Sequence, residues 1–264
     1  MEQFSIKDRY NLEDLVALVA LLRDPVLGCN WDREQTHESI RMNFIEEVYE
    51  AAEAIDTGDS QLLLEELGDV LLQVLLHAEM ERQAGRFGMD EVADRLCKKL
   101  VLRHPHLFGQ VKVDGSEDVL ANWEQIKREE KQQRSGSDAI RDVPLAMPAL
   151  MRTQKILKRA AYAGYGSRDA DSALDAAGQA LAQLREPQQV NSDKSQQLGA
   201  LLLAATDIAL QLKLDAEQCA ELAADEFAWR FIKMEQLADE EGLDLRQLKQ
   251  DELQQLYRRA GELV

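Results

Sequence analysis

The chain has 264 residues, of which 45% are hydrophobic and 5% aromatic, and its formal net charge is −18. This length allows one large or two modest domains, and the abundance of Leu, Ala, Glu and Gln favours helices over strands. The acidic balance argues against a surface that follows nucleic-acid phosphates, so we expect no nucleic-acid polymer as a partner.

Five helices are predicted in the first half of the chain. Their hydrophobic periodicity and the turn signals between them place them at 12–22, 36–55, 62–83, 89–103 and 119–134. The second helix begins at Thr36, where the stretch "THES" offers a cap. The stretch "RSGSDAIRDVP", rich in Ser, Gly and Asp, predicts a linker after the fifth.

A second set of five helices follows, with similar order and lengths. Its members are predicted at 149–161, 171–185, 195–212, 216–237 and 245–263. The stretch "EELGDVLL" (65–72) returns as "QQLGALLL" (196–203), which is an offset of 131 positions (197 − 66 = 131). A repeat of this length indicates a duplicated domain. We expect an all-α fold with two tandem related helical domains, each of about four to five helices: 1–134, a linker at 135–147, and 148–264.

The other signals of the sequence indicate a cytoplasmic protein. The N-terminal segment is polar and lacks the apolar core of a signal peptide. No apolar run approaches the roughly 20 residues that span a bilayer, so we expect no membrane partner. The cysteines, Cys29, Cys97 and Cys219, form no CxxC motif, which indicates reduced thiols and argues against structural zinc.

Carboxylates are concentrated on two consecutive predicted helices. Glu46, Glu47 and Glu50 are three or four residues apart on the second helix, and Glu66 and Asp69 are three apart on the third. Such spacing puts side chains on one side of a helix, where like charges repel. The apolar neighbours of these acids suggest that both helices pack in a core. If the two acidic faces meet there, a divalent cation such as Mg²⁺ would offset the repulsion.

A solvated acidic face is the alternative, and the second copy of the repeat argues against it. In the best register, five neutral residues replace all five acids: Gln179, Ala180, Gln183, Gln197 and Ala200. The Leu-Gly centre of the motif nevertheless persists. Loss of the acids alone indicates that they act as one unit in the first copy.

The pattern EExxE followed by ExxD resembles the MazG-type nucleoside triphosphate pyrophosphohydrolases, part of the all-α NTP pyrophosphatase superfamily. Further stretches carry the same resemblance across residues 10–134: "GCNWDREQTH", "LGDVLLQV", "RHPHLF" and "WEQIKREEK". It continues more faintly to the C-terminus, as in two-copy members of the family.

This resemblance implies a reaction and a ligand set. A nucleoside triphosphate is hydrolysed between its α and β phosphates to a nucleoside monophosphate and pyrophosphate, with Mg²⁺ as cofactor. Glu47, Glu50, Glu66 and Asp69 are then the expected metal ligands. Glu46 is either a further ligand or the group that activates the attacking water.

Candidate substrate-binding residues lie outside the acidic motif. Lys99 and Arg103, four residues apart on the fourth helix, and Lys127 could face the phosphates, while Trp31 and Trp123 could stack on the base or form a pocket wall. Each has a plainer alternative. Lys99 and Arg103 would be surface charges, and Trp31 would pack within a loop. Trp123 with Lys127 would form part of an interface.

The second copy departs from the family at these positions as well. Only Arg103 is aligned with a residue of the same type in the second copy, Arg230. The other aligned residues are Glu226, Leu253 and Tyr257, for Lys99, Trp123 and Lys127 respectively. We therefore expect the second domain to bind no metal and to serve packing or dimerisation. The resemblance implies a homo-oligomer, with a dimer favoured.

Three functions stay open at this point. The leading hypothesis is an enzyme that works through the first domain. A nucleotide- and Mg²⁺-binding regulatory protein without turnover is the second hypothesis, and a helical adaptor with solvated acids is the third.

Overall fold

The structure, a computed structural model, describes residues 4–109, 111, 114–133, 135–185 and 194–262. These residues form helices and one 3₁₀ turn, Leu245–Gln247, without any strand, which confirms the all-α fold class. The helices are α1 Leu12–Leu22, α2 Asn30–Glu34, α3 Arg41–Thr57, α4 Ser60–Gln83, α5 Met89–Arg103, α6 Pro105–Phe108, α7 Ser116–Glu130, α8 Gly136–Arg141, α9 Ala149–Tyr162, α10 Ala170–Arg185, α11 Lys194–Gln211, α12 Ala216–Glu240 and α13 Gln250–Gly261.

Several boundaries differ from those predicted. The helix α3 begins five residues later than expected, because Thr36 and Ser39 form a separate turn in which each side chain bonds the other's backbone N–H (2.9 and 3.2 Å). The last predicted helix is divided into a 3₁₀ turn and α13, since Asp244 caps the turn through the backbone N–H of Arg246. Residues 134 and 263, where two predicted helices end, lie outside the described residues.

The chain divides into two compact units between Lys127 and Arg128, a point within α7. The sequence predicts this division at residue 134 and a linker at 135–147. The first part of that linker is the short helix α8, which begins at a capping box between Ser135 and Asp138. Its Ser, Gly and Asp residues therefore start a helix, which is the other common use of these residue types.

In the first unit, α4 packs against α1, α3 and α5. Its C-terminal half supplies most of a buried cluster formed by Val19, Ile40, Leu75, Leu76 and Met80. Full burial of an aliphatic side chain contributes roughly 1.5–3 kcal/mol to stability, so this cluster fixes α4 relative to its neighbours.

A tight turn joins α3 to α4. Gly58 ends α3 with a φ of +68°, a left-handed conformation that favours glycine. Asp59 then caps α4, since its carboxylate accepts hydrogen bonds from the backbone N–H groups of Gln61 (2.9 Å) and Leu62 (3.1 Å). With only these two residues between them, α3 and α4 form an antiparallel hairpin.

The second unit repeats the packing pattern of the first. Here α11 packs against α9, α10 and α12, just as α4 packs against α1, α3 and α5. A separate buried cluster joins α12 and α13 through Met234, Ala238, Leu256 and Ala260. The same order of contacts in both units supports the internal duplication that the sequence repeat predicts.

The helix α11 carries a buried acid within its apolar sequence. The Asp207 carboxylate accepts hydrogen bonds from Ser167 Oγ (2.5 Å) and Gln211 Nε2 (3.2 Å). Among the described residues, no single helix has both the length and the hydropathy of a membrane span. Only α11 and α12 taken together reach that threshold, and a bend of 107° separates them.

A polar chain ties the turn before α3 to the end of α4. Nε2 of His37 lies 2.7 Å from Oε1 of Glu81, and its Nδ1 lies 2.7 Å from Nδ1 of His77. Arg86 Nη2 donates to the same Glu81 carboxylate at 2.6 Å. The hydrogen bond from Arg86, with the contact to His37, lowers the pKa of Glu81 to about 2.

Replacement of Glu81 by Gln is expected to destabilise the protein at neutral pH, with an effect that fades in acid. The folded-state pKa lies below the ordinary value of 4.5, so the ionised carboxylate stabilises the fold above pH 4.5 and this contribution is lost as the pH falls towards 2. Urea unfolding of Glu81→Gln at pH 7, 4 and 2.5 measures this, with Glu221→Gln, an exposed acid of the second unit, as the control. An equal loss of stability at all three pH values would contradict the assignment.

Candidate metal centre

The hairpin of α3 and α4 aligns the predicted acids in pairs. Glu50 and Glu66 are each eight residues from Gly58, and Glu47 and Asp69 are each eleven residues from it. Both helices rise by about 1.5 Å per residue, so residues equidistant from a tight turn lie at the same level of an antiparallel pair. The turn therefore sets which carboxylates face one another.

Three carboxylates converge at this level. One oxygen each from Glu47, Glu66 and Asp69 lie within 4.8 Å of one another. Glu66 is almost fully buried, with 9% of its surface exposed, and the other two are half-buried. Ligands on opposite sides of a Mg²⁺ or Ca²⁺ ion are about 4–5 Å apart, so this group of hard oxygen donors fits one such divalent cation.

The electrostatics of the group favour the binding of a cation. Burial raises the pKa of Glu66, and the carboxylates of Glu50 and Asp69 raise it further. Burial likewise raises the pKa of Glu47, followed by the charge of Asp69 and a hydrogen bond with Glu50. For each of these two acids, the carboxylate with the largest charge effect is the one that the turn places opposite it: Glu50 for Glu66, and Asp69 for Glu47. Ionisation of both acids is unfavourable until a cation compensates it.

The other acids of the hairpin lie at the edge of this group. Glu50 is exposed, but its carboxylate raises the pKa of both Glu47 and Glu66, as described above. Glu46 is exposed, and the described contacts do not join it to the group. Glu53 and Glu65, which the sequence analysis missed, also raise the pKa of Glu66. Their signal was available, since Glu53 follows Glu50 by three residues and Glu65 is adjacent to Glu66.

A second cluster brings together three of the five predicted substrate-binding residues. The guanidinium carbon of Arg103 lies 5.0 Å from the ring centre of Trp123, and Nζ of Lys127 lies 4.7 Å from it. Lys127 Nζ also lies 3.3 Å from Oε1 of Glu124. Two cations on one indole ring form cation–π contacts that hold the charges in defined positions.

The described contacts place neither Trp31 nor Lys99 in these two groups. Trp31, on α2, is 58% exposed, and Lys99 is half-buried on α5. The buried Arg23, which the sequence analysis missed, holds the segment of Trp31: its Nη1 donates to the carbonyl oxygens of Asp32 and Gln35. Gln35 in turn donates from Nε2 to the carbonyl oxygen of Trp31 at 2.9 Å. No local motif marks such long-range contacts of Arg23.

Comparisons with known proteins agree with this geometry. The profile of the MazG nucleotide pyrophosphohydrolase domain matches residues 35–108, which contain the hairpin and all five predicted acids. The nucleoside triphosphate pyrophosphohydrolase of Escherichia coli is 36% identical over 238 residues, which cover 89% of this chain and 90% of that relative. The chain belongs to the MazG family of nucleotide pyrophosphohydrolases.

Other relatives in the family extend the similarity over most of the chain. The nucleoside triphosphate pyrophosphohydrolase/pyrophosphatase MazG of Thermotoga maritima is 36% identical over 248 residues, 94% of each chain. The nucleoside triphosphate pyrophosphohydrolase of Mycobacterium tuberculosis is 41% identical over 162 residues, which cover 61% of this chain and 49% of the relative. MazG membership and the acidic group together imply a divalent metal.

A divalent cation is expected to raise the melting temperature of the protein. Ligand linkage predicts a rise of about 5–10 °C for Mg²⁺ at 100-fold excess over its Kd. The variant Glu66→Gln removes one ligand and one repelling charge, so it should melt higher than the wild type without metal and show little response to Mg²⁺.

Melting curves in metal-free buffer and with increasing MgCl₂ measure both effects. Asp56→Asn, which removes an exposed acid from α3, is the control and should respond to Mg²⁺ like the wild type. Equal Mg²⁺ responses in wild type and Glu66→Gln would rule out this metal centre.

Proposed function

We propose that this chain hydrolyses nucleoside triphosphates to nucleoside monophosphates and pyrophosphate, with Mg²⁺ as its metal. The observation that carries the proposal is the group of Glu47, Glu66 and Asp69 within the stretch that matches the MazG profile. The unit that ends at Lys127 contains this group and the Arg103–Trp123–Lys127 cluster, so we assign the reaction to it.

The carboxylates of the hairpin are assigned to the metal. Glu47, Glu66 and Asp69 hold the ion, and Glu50, whose charge acts on both glutamates, is the fourth ligand. When bound, Mg²⁺ neutralises the phosphate charge that develops during in-line attack by water. Glu46 remains as a fifth carboxylate, either as a further ligand or as the group that orients the attacking water.

The basic residues are assigned to the phosphates and the tryptophans to the nucleotide. Arg103 and Lys127 lie against Trp123, so their charges are held in place before substrate arrives, which reduces the reorganisation needed on binding. Lys99 lies one helical turn before Arg103 and adds a third cation. We assign the exposed Trp31 to the base, because an aromatic side chain on the surface is available for stacking.

The second unit is assigned a role in packing or homodimerisation. In its described part, no group of acids comparable to that of the hairpin occurs. Large apolar side chains are half-exposed on α11 at Leu198, Leu202 and Leu203, which suits a contact with another copy of the chain. The three free cysteines fit a reducing compartment, and we place the enzyme in the cytoplasm.

Product analysis tests the reaction directly. The protein is incubated with each of the eight standard NTPs and dNTPs, plus ITP, in Mg²⁺, and the nucleotides are separated by ion-exchange chromatography. A nucleoside monophosphate with pyrophosphate, and no diphosphate, is the expected result. Nucleoside diphosphate with phosphate would mean a different phosphohydrolase. Binding without turnover would favour the non-catalytic regulatory protein.

Replacement of a proposed metal ligand should abolish hydrolysis and leave the fold intact. Asp69→Asn is expected to lower kcat on the order of 100-fold or more, because the site loses charge stabilisation that the transition state needs. Rates of pyrophosphate release together with circular dichroism measure this, with Asp56→Asn as the control. Activity within a few-fold of the wild type would contradict the role of Asp69.

Lys127→Met tests the assignment of the basic cluster to the phosphates. Loss of a charged hydrogen bond to substrate is expected to lower kcat/KM roughly tenfold or more. Initial rates over a range of NTP concentrations measure the change. The matched control is Lys98→Met, which removes an exposed cation that pairs with Asp94. If both variants lose activity equally, Lys127 acts only through the net charge of the protein.

A further inference from the structure

The second unit contains a cavity that the proposed reaction does not use. Its volume is about 140 Å³, several times the space that one water needs. The cavity lies where the end of α7, the start of α8 and the helix α9 meet, and its polar lining includes Arg128, Gln133, Ser135 and Arg159. Among the described residues, two guanidinium groups thus line it and no carboxylate does.

The two arginines make this cavity electropositive. Arg159 is 8% exposed, and a guanidinium group keeps its charge even when buried. Arg128 lies over the ring of Tyr162, with its guanidinium carbon 4.9 Å from the ring centre, so its position is held by packing. Nε of Arg128 is buried without a hydrogen-bond partner among the described residues. A buried N–H of a cation is costly unless an acceptor satisfies it.

The hydrogen bonds of the neighbouring acid come from other groups. The carboxylate of Asp142 accepts hydrogen bonds from Nζ of Lys131 (3.0 Å) and from Nε2 of Gln133 (2.5 Å), and these two bonds, followed by the charges of Lys131 and Arg159, lower the pKa of Asp142. Lys131 is absent from the lining of the cavity.

The bond to Asp142 also fixes the amide of Gln133. Because its nitrogen donates to the carboxylate, its Oε1 is the acceptor, and this buried oxygen has no hydrogen-bond partner within the described part of the chain. A ligand that suits the cavity must therefore accept hydrogen bonds from guanidinium groups and donate one to an amide oxygen. Phosphate at neutral pH does both, since it is an anion that keeps an O–H, whereas sulfate carries no proton.

We propose that this cavity binds a phosphate oxyanion, either inorganic phosphate or a terminal phosphoryl group of pyrophosphate. Arg128 and Arg159 hold the negative oxygens, and Oε1 of Gln133 accepts the remaining proton. Only the link to pyrophosphate as a reaction product rests on the proposed function. The site itself depends on residues of the second unit alone.

Calorimetric titration of the full chain with inorganic phosphate in metal-free buffer tests the proposal. The Arg103–Trp123–Lys127 cluster of the first unit is a second place for a phosphate, so binding is assigned to the cavity only if it persists in Lys127→Met. Failure of the proposed reaction then leaves this result unaffected. Phosphate is expected to bind, and sulfate at equal ionic strength at least tenfold more weakly. Arg128→Met should weaken phosphate binding roughly tenfold or more, while Lys131→Met, which also removes one positive charge, should keep it.

Three further measurements make the test decisive. Circular dichroism and melting in chloride show whether Arg128→Met is folded, and Gln133→Met is expected to remove the preference for phosphate over sulfate even if Arg128→Met unfolds. Titration with pyrophosphate, the second probe, identifies which oxyanion binds more tightly. The proposal is overturned if phosphate does not bind, if sulfate binds equally well, or if Gln133→Met keeps the preference for phosphate over sulfate.

Discussion

The turn of Gly58 and Asp59 is the constraint on which the metal centre depends. The left-handed Gly58 ends α3, and the next residue, Asp59, caps α4. The turn therefore fixes the register of the two helices. That register places Glu47 opposite Asp69 and Glu50 opposite Glu66. One inserted residue in the turn would shift α4 by about 1.5 Å and rotate it by about 100°, enough to move its acids away from those of α3.

The same helix carries both the charge repulsion and the packing that resists it. Glu66 and Asp69 lie in the N-terminal half of α4, while Leu75, Leu76 and Met80 form the buried cluster in its C-terminal half. Repulsion among the acids acts near the turn, and the apolar contacts keep α4 in place further along. The first unit can therefore keep unfavourable carboxylates close together without a cation, ready to bind one.

Local signals account for what the sequence predicts well. Helices α1 and α5 have the bounds expected from periodicity and turn residues, and the spacing of EExxE and ExxD indicates that the acids share a region. Features that depend on distant contacts could not be read in this way. Two such features join residues far apart in the chain: the hydrogen bonds from Arg23 to the segment of Trp31, and the contact of Trp123 with Arg103. The turn at Thr36 was missed because one motif, "THES", caps either a turn or a helix.

The second unit has neutral residues at the positions that match the acids of the hairpin. In the best register, Gln183 and Gln197 stand where the first unit has Glu50 and Glu66. The pairing positions are thus kept in the sequence while their charges are lost. Neutral side chains at these positions carry no like-charge repulsion, which is why we expect no metal in the second unit. This unit instead places two arginines, Arg128 and Arg159, along one cavity, and the ligand that we propose for this cavity is an anion.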